Sequence, residues 1–156
     1  MNHRPGSAGS VGPVTDPTIR PGSTYPGERL GLPESGRGAV AGWGRRALAL
    51  AVDWFASMAV VGLFVGIRVW TGQGAVAWAP MGMFLLEATL FTALVGGSFG
   101  QLVCRIAVVR LDRRPVNVLQ ALARTFLICL VIPPLVFNRD QRGLHDLAVG
   151  TVTVRR

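Results

Sequence analysis

The chain has 156 residues, a formal net charge of +8 and a hydrophobic content of 50%. That size allows one domain plus a tail. The apolar residues are gathered in blocks of about 20, which excludes an ordinary soluble basic domain and defines an integral membrane protein. All 16 basic residues are Arg, which with abundant Ala, Gly, Pro and Val fits a high-GC bacterial coding bias. Cys104 and Cys129 lie in or beside apolar blocks, away from any Cys/His cluster, and read as small apolar side chains. With only two His in the chain, a single-chain zinc site is not expected, nor is any other metal or cofactor.

Residues 1–40 hold eight Gly, six Pro and four Ser. No apolar periodicity survives that density of breakers, so a disordered cytoplasmic tail is expected. No apolar h-region follows the charged start, so no signal peptide is expected there. Within 24–35, Tyr25, Leu30 and Leu32 could dock on the membrane surface or on the protein's own cytoplasmic face; the other reading is a tethering linker.

The region 41–156 reads as one membrane domain. Its first apolar block, Ala47–Ile67, carries a single charge, Asp53; a helix over 45–68 is long enough to cross the ~30 Å hydrocarbon core. Trp43, Arg45 and Arg46 flank one end, and Arg68, Trp70 and Trp78 the other, as interfacial anchors. Gly62 and Gly66 form a small-xxx-small pair suited to helix contact. The second block, Met81–Cys104, also holds one charge, Glu87. A helix over 80–104 follows, with Gly96 and Gly100 as packing positions near its end. The two blocks form an antiparallel hairpin.

Next, 106–111 is short and β-branched and reads as a strand. Asn117 and Gln120 have capping-box spacing and open an amphipathic helix over 117–124. The short apolar segment 125–137 contains Pro133-Pro134. It is either a third tilted span or a re-entrant hairpin broken at the prolines. The cap 138–156 ends in 150–155, alternating and β-branched, which can pair with 106–111 if both lie on one side. The expected fold is therefore all-α integral membrane: a two-helix hairpin, a short third apolar element and a small cytoplasmic β-ribbon. The first loop carries only Arg68, whereas Arg37, Arg45 and Arg46 precede the hairpin and five Arg follow it. The positive-inside rule puts the N terminus in the cytoplasm, and with the bacterial coding bias a multi-pass protein of the bacterial inner membrane is expected.

Four stretches resemble the RDD family of bacterial membrane proteins: RRALALAVDW (45–54), GGSFGQLVCRIAVVRLD (96–112), LARTF (122–126) and RGLHDLAVGTVTV (142–154). The resemblance assigns Arg46, Asp53 and Asp146 to the family's charged motif positions and places Arg124 where an Arg is frequent. Ser98, Gln101 and Val149 stand where Thr, Lys and Ala are usual. It implies a membrane protein of undefined molecular function, often proposed to take part in transport, and names no ligand.

A carboxylate inside a span costs roughly 2.5–3.5 kcal/mol on insertion scales, so Asp53 should face protein or water. Arg124 is its expected partner, and Asp53, Glu87 and Arg124 form a candidate intramembrane polar network. Asp53 then either belongs to a cation or proton path or acts as a charge-paired staple. Glu87 is expected ~10 Å or more from Asp53 along the membrane normal. His145-Asp146 lacks a nucleophile motif, so no enzyme is expected, and Asp146 is expected to accept backbone or Arg hydrogen bonds in the cytoplasmic cap. Anionic lipid is the default partner of the Arg-rich segments, and no nucleic-acid motif is present. Beside a membrane enzyme, which ranks last because no nucleophile, metal or cofactor constellation is visible, two function classes remain. One is transport of an ion or small solute, which needs a homo-oligomer because so few spans cannot enclose a path. The other is a non-catalytic accessory or assembly subunit of a larger membrane complex.

Overall fold

The computed structural model describes residues 25–112, 114–130, 136, 138 and 140–156. Helix α1 is Trp43–Val65, about 34 Å at ~1.5 Å per residue. Its buried positions, Ala49, Asp53, Ser57 and Val61, recur every four residues, which is one narrow face. Beyond Arg45 and Arg46 in its first turn, the rest of its surface is apolar and largely open, with Leu63 85% and Phe64 84% exposed. In water such a surface would drive aggregation; in a bilayer it is the lipid-facing side. A short helix α2 (Arg68–Thr71) and a 3-10 turn (Gly74–Trp78) lead into α3, Ala79–Val95, with Pro80 in its first turn. Among the described residues, Trp43–Val65 and Gly74–Val95, the 3-10 turn counted with α3, are the helices long and apolar enough to cross a membrane.

The expected continuous helix over 80–104 is corrected. It breaks at Gly96, whose φ of 78° closes α3 in the left-handed region that glycine enters without a Cβ clash. A separate helix α4 (Phe99–Val103) starts at Ser98, where a reciprocal capping box with Gln101 satisfies the first amides. Three of the four expected packing glycines also have other uses. Gly62 and Gly66 form the end of α1, the Gly66 amide donating to the Gly62 carbonyl at 2.8 Å. Gly96 is a cap, and only Gly100 lies in a close interhelical contact.

Strand β1 (Ile106–Arg110) pairs antiparallel with β2 (Thr151–Arg155), in the register Ile106 to Arg155 and Val108 to Thr153. The expected strand pair is present. Between the strands lie α5 (Val118–Cys129) and α6 (Leu144–Ala148). The Asn117–Gln120 box opens α5, the Gln120 amide donating to Asn117 Oδ1 at 2.8 Å. This helix continues past Arg124 to Cys129, so the amphipathic and apolar pieces expected at 117–124 and 125–137 are one helix up to that point. The proline pair that was to break the segment lies outside the described residues.

Disorder across all of 1–40 is corrected for its last part; residues 1–24 lie outside the described residues. Residues 38–41 run along the free edge of β2, with Gly38 and Ala41 amides donating to the Arg155 and Thr153 carbonyls at 2.8 and 2.9 Å. Leu30 and Leu32 pack on Val40, Val152 and Val154, so this segment docks on the protein itself. That cover lets a two-stranded ribbon, marginal alone in water, hold its shape. The start of α1 and the end of α3 both meet the ribbon, since the Val108 amide donates to the Gly96 carbonyl at 2.7 Å. Helix α1 packs on α3 and α4, and α3 packs on α5.

Candidate functional site

Two buried carboxylates organise the end of the bundle beside the ribbon. Asp53, 3% exposed, projects from the inner stripe of α1 at the start of α4. Its Oδ2 accepts from Ser98 Oγ at 2.5 Å, and its Oδ1 accepts from the Gly100 amide. Gly100 is required here: a Cβ on it would meet the Ala49 carbonyl oxygen at 2.1 Å and Asp53 Cγ at 2.9 Å. Glu87 of α3 reaches the same helix end, accepting from the Phe99 amide at 2.7 Å. Asp53 and Glu87 thus hold consecutive amides of α4, at the helix end where negative charge is favoured.

The second carboxylate, Asp146, is 0% exposed. It accepts from Arg124 Nε at 2.8 Å and from the Thr151 and Thr153 hydroxyls at 3.0 Å each. Arg46 Nη1 lies 3.8 Å from its other oxygen. Arg46 donates from Nε to the Ala41 carbonyl at 2.9 Å and from Nη2 to the Thr153 carbonyl at 3.3 Å. Arg142 donates to the Thr151 carbonyl at 2.9 Å. Asp146 therefore ties together α1, α5, α6 and β2. Burial alone would raise its carboxyl pKa. Arg124, with His145 and Arg46, outweighs that and holds it well below the usual carboxylate range.

These contacts rearrange the expected network. Arg124 pairs with Asp146 rather than Asp53, because α5 packs toward the ribbon and places its guanidinium beside β2. Glu87 is not remote from Asp53, because the chain reverses at Gly96–Ser98 and brings Phe99 back to it. Arg46, Asp53 and Asp146 do share one region, yet Arg46 turns to Asp146. Sequence reasoning gave no role to Ser98, Thr151, Thr153 or Arg142. Alternating Thr at 151 and 153 inside an apolar strand was the available signal, since hydroxyls on a buried face need partners.

Arg46, Asp53, Gln101, Arg124, His145 and Thr153 contribute to the walls of a cavity of about 170 Å³ between α1, α3 and α5. Two long apolar helices, with a charged core at the end they share, have the length and composition of membrane spans. The RDD family model matches residues 40–150, and the chain belongs to the RDD family. No curated protein and no solved structure gives a significant match.

Proposed function

We propose that this chain is the repeating unit of an oligomeric membrane assembly that passes an ion or small solute. The observation that carries this reading is the cavity itself: Asp53, Arg46 and Arg124 line a single space between apolar helices. Buried ionisable groups around a cavity mark solute paths in membrane proteins more often than they mark lipid-facing surface. Two spanning helices cannot enclose a path alone. The exposed apolar sides of α1 and α3 leave room for further copies. The strand pairing supports two spans rather than three, since the chain leaves the ribbon after Arg110 and rejoins it at Thr151. With the ribbon on the Arg-rich side, the positive-inside rule puts both termini in the cytoplasm. We assign no catalytic role to any residue.

A second reading, a non-catalytic accessory subunit, draws on one feature: both oxygens of Asp53 are engaged by donors of its own chain. The carboxylate then serves as a fixed cap for α4. Gentle detergent extraction with mass measurement tests the choice. A particle that is a multiple of 16.6 kDa supports the oligomer. Stoichiometric recovery with a different membrane protein overturns it in favour of the accessory subunit.

A further inference from the structure

We infer that the cavity between α1, α3 and α5 binds the head group of an anionic phospholipid. Three observations converge on that occupant. The first is an imbalance of hydrogen-bonding groups at the polar wall. The Asp53 oxygens are held by Ser98 and Gly100, and those of Asp146 by Arg124, Thr151 and Thr153. Arg46 Nη1, by contrast, is buried with no hydrogen-bond acceptor, at 3.8 Å from Asp146. Both carboxylates near Arg46 already have hydrogen-bond donors of their own, whereas this guanidinium nitrogen has an ion-pair neighbour but no hydrogen bond, and a buried guanidinium N–H is satisfied best by an anionic oxygen.

The second observation is the apolar part of the lining. Trp43, Ala47 and Leu50 lie at i, i+4 and i+7 on α1 and form one stripe of the lining, facing Phe84 and Ala88 of α3 and Ile128 of α5. Trp43 and Leu50 are also exposed. Exposed apolar side chains therefore border the cavity, with Trp43 at the end of a candidate span, where head groups lie. The third is size. A cavity of about 150 Å³ holds a benzene-sized molecule, so about 170 Å³ admits a phosphate group with its first carbons and leaves the acyl chains outside on the apolar face. The occupant is thus amphipathic, anionic at one end and held by its head. Phosphatidylglycerol fits, having a phosphate and no cation. Phosphatidylcholine would bring an ammonium group toward Arg46 and Arg124. The site stands on the cavity and holds whether or not the assembly transports.

The test is native mass spectrometry of the purified full chain, with phosphatidylglycerol, phosphatidylcholine and inorganic phosphate as probes. Phosphatidylglycerol should be retained several-fold more than phosphatidylcholine. Ala47→Phe, which fills the apolar side, and Arg46→Gln, which removes the donor, should each bring retention down to the phosphatidylcholine level. Ala47→Phe lies outside the ion-pair network, so its result can be read even if Arg46→Gln fails to fold. Equal retention of the two lipids overturns the inference, as does undiminished phosphatidylglycerol retention in folded Ala47→Phe. Displacement of the lipid by millimolar inorganic phosphate overturns the lipid assignment and leaves a free-anion site. Selective retention without ion flux defeats the transport reading alone, and flux without lipid selectivity defeats this inference alone.

Discussion

Replacing Asp146 by Asn keeps the side-chain shape and deletes the charge. In the folded protein Arg124 Nε sits 2.8 Å from this carboxylate, both side chains are almost fully buried, and Arg46 is nearby. The variant leaves a buried guanidinium without its counter-ion. Its amide also turns one acceptor oxygen into a donor among Arg124, Thr151 and Thr153. Breaking a buried pair from one side costs about 3–5 kcal/mol, a large part of the 5–15 kcal/mol that a domain typically holds. At roughly 2–4 °C per kcal/mol for a chain of this size, Tm should fall by on the order of 10 °C. The assay is thermal unfolding in a fixed detergent, followed by circular dichroism. A double-mutant cycle with Arg124→Gln should show strong coupling, because the second change removes the charge that the first stranded. If Asp146→Asn leaves Tm unchanged and adds strictly to Arg124→Gln, the ion pair does not hold the fold.

Three further outcomes follow from the same contacts. Because the Asp146 carboxyl is held below its ordinary range, its contribution is fully present above the unfolded carboxylate pKa of about 3.9 and is lost as pH falls below it. The stability gap between wild type and Asp146→Asn should therefore be constant near neutrality and shrink on acidification; a gap that widens in acid contradicts the assigned sign. Gly100→Ala drives a methyl into the Ala49 carbonyl and Asp53, forcing α1 and α4 apart at a cost of about 1–3 kcal/mol, and unchanged Tm in that variant refutes the close contact. Thr71→Cys, in a background without Cys104 and Cys129, should react with an impermeant maleimide in intact cells, whereas labelling only after lysis reverses the orientation.

The elements readable in the sequence were those written in local patterns. The two apolar blocks, the Asn117–Gln120 box and the β-branched pair 106–110 and 151–155 each depend on neighbours a few residues apart. The break after α3 was written in the same language, since Ser98 and Gln101 have capping spacing and Gly96-Gly97 precedes them. It was hidden by the apolar residues running through it. That single omission misplaced Glu87: along a continuous helix, Phe99 would lie about 18 Å beyond it, too far to donate to its carboxylate. The choice of Asp146 over Asp53 for Arg124 was not legible, because it depends on how α5 lies against β2. Only the packed ribbon puts Thr151, Thr153 and Asp146 around one guanidinium.

The proposed solute path is tested most directly by ion flux in proteoliposomes that contain only this protein. Proton and sodium gradients should collapse faster than in empty vesicles, and Asp53→Asn, reconstituted as the same oligomer, should lower that rate severalfold. Rates equal to those of empty vesicles, from a folded and oligomeric wild type, would contradict the path and leave Asp53 as the cap of α4.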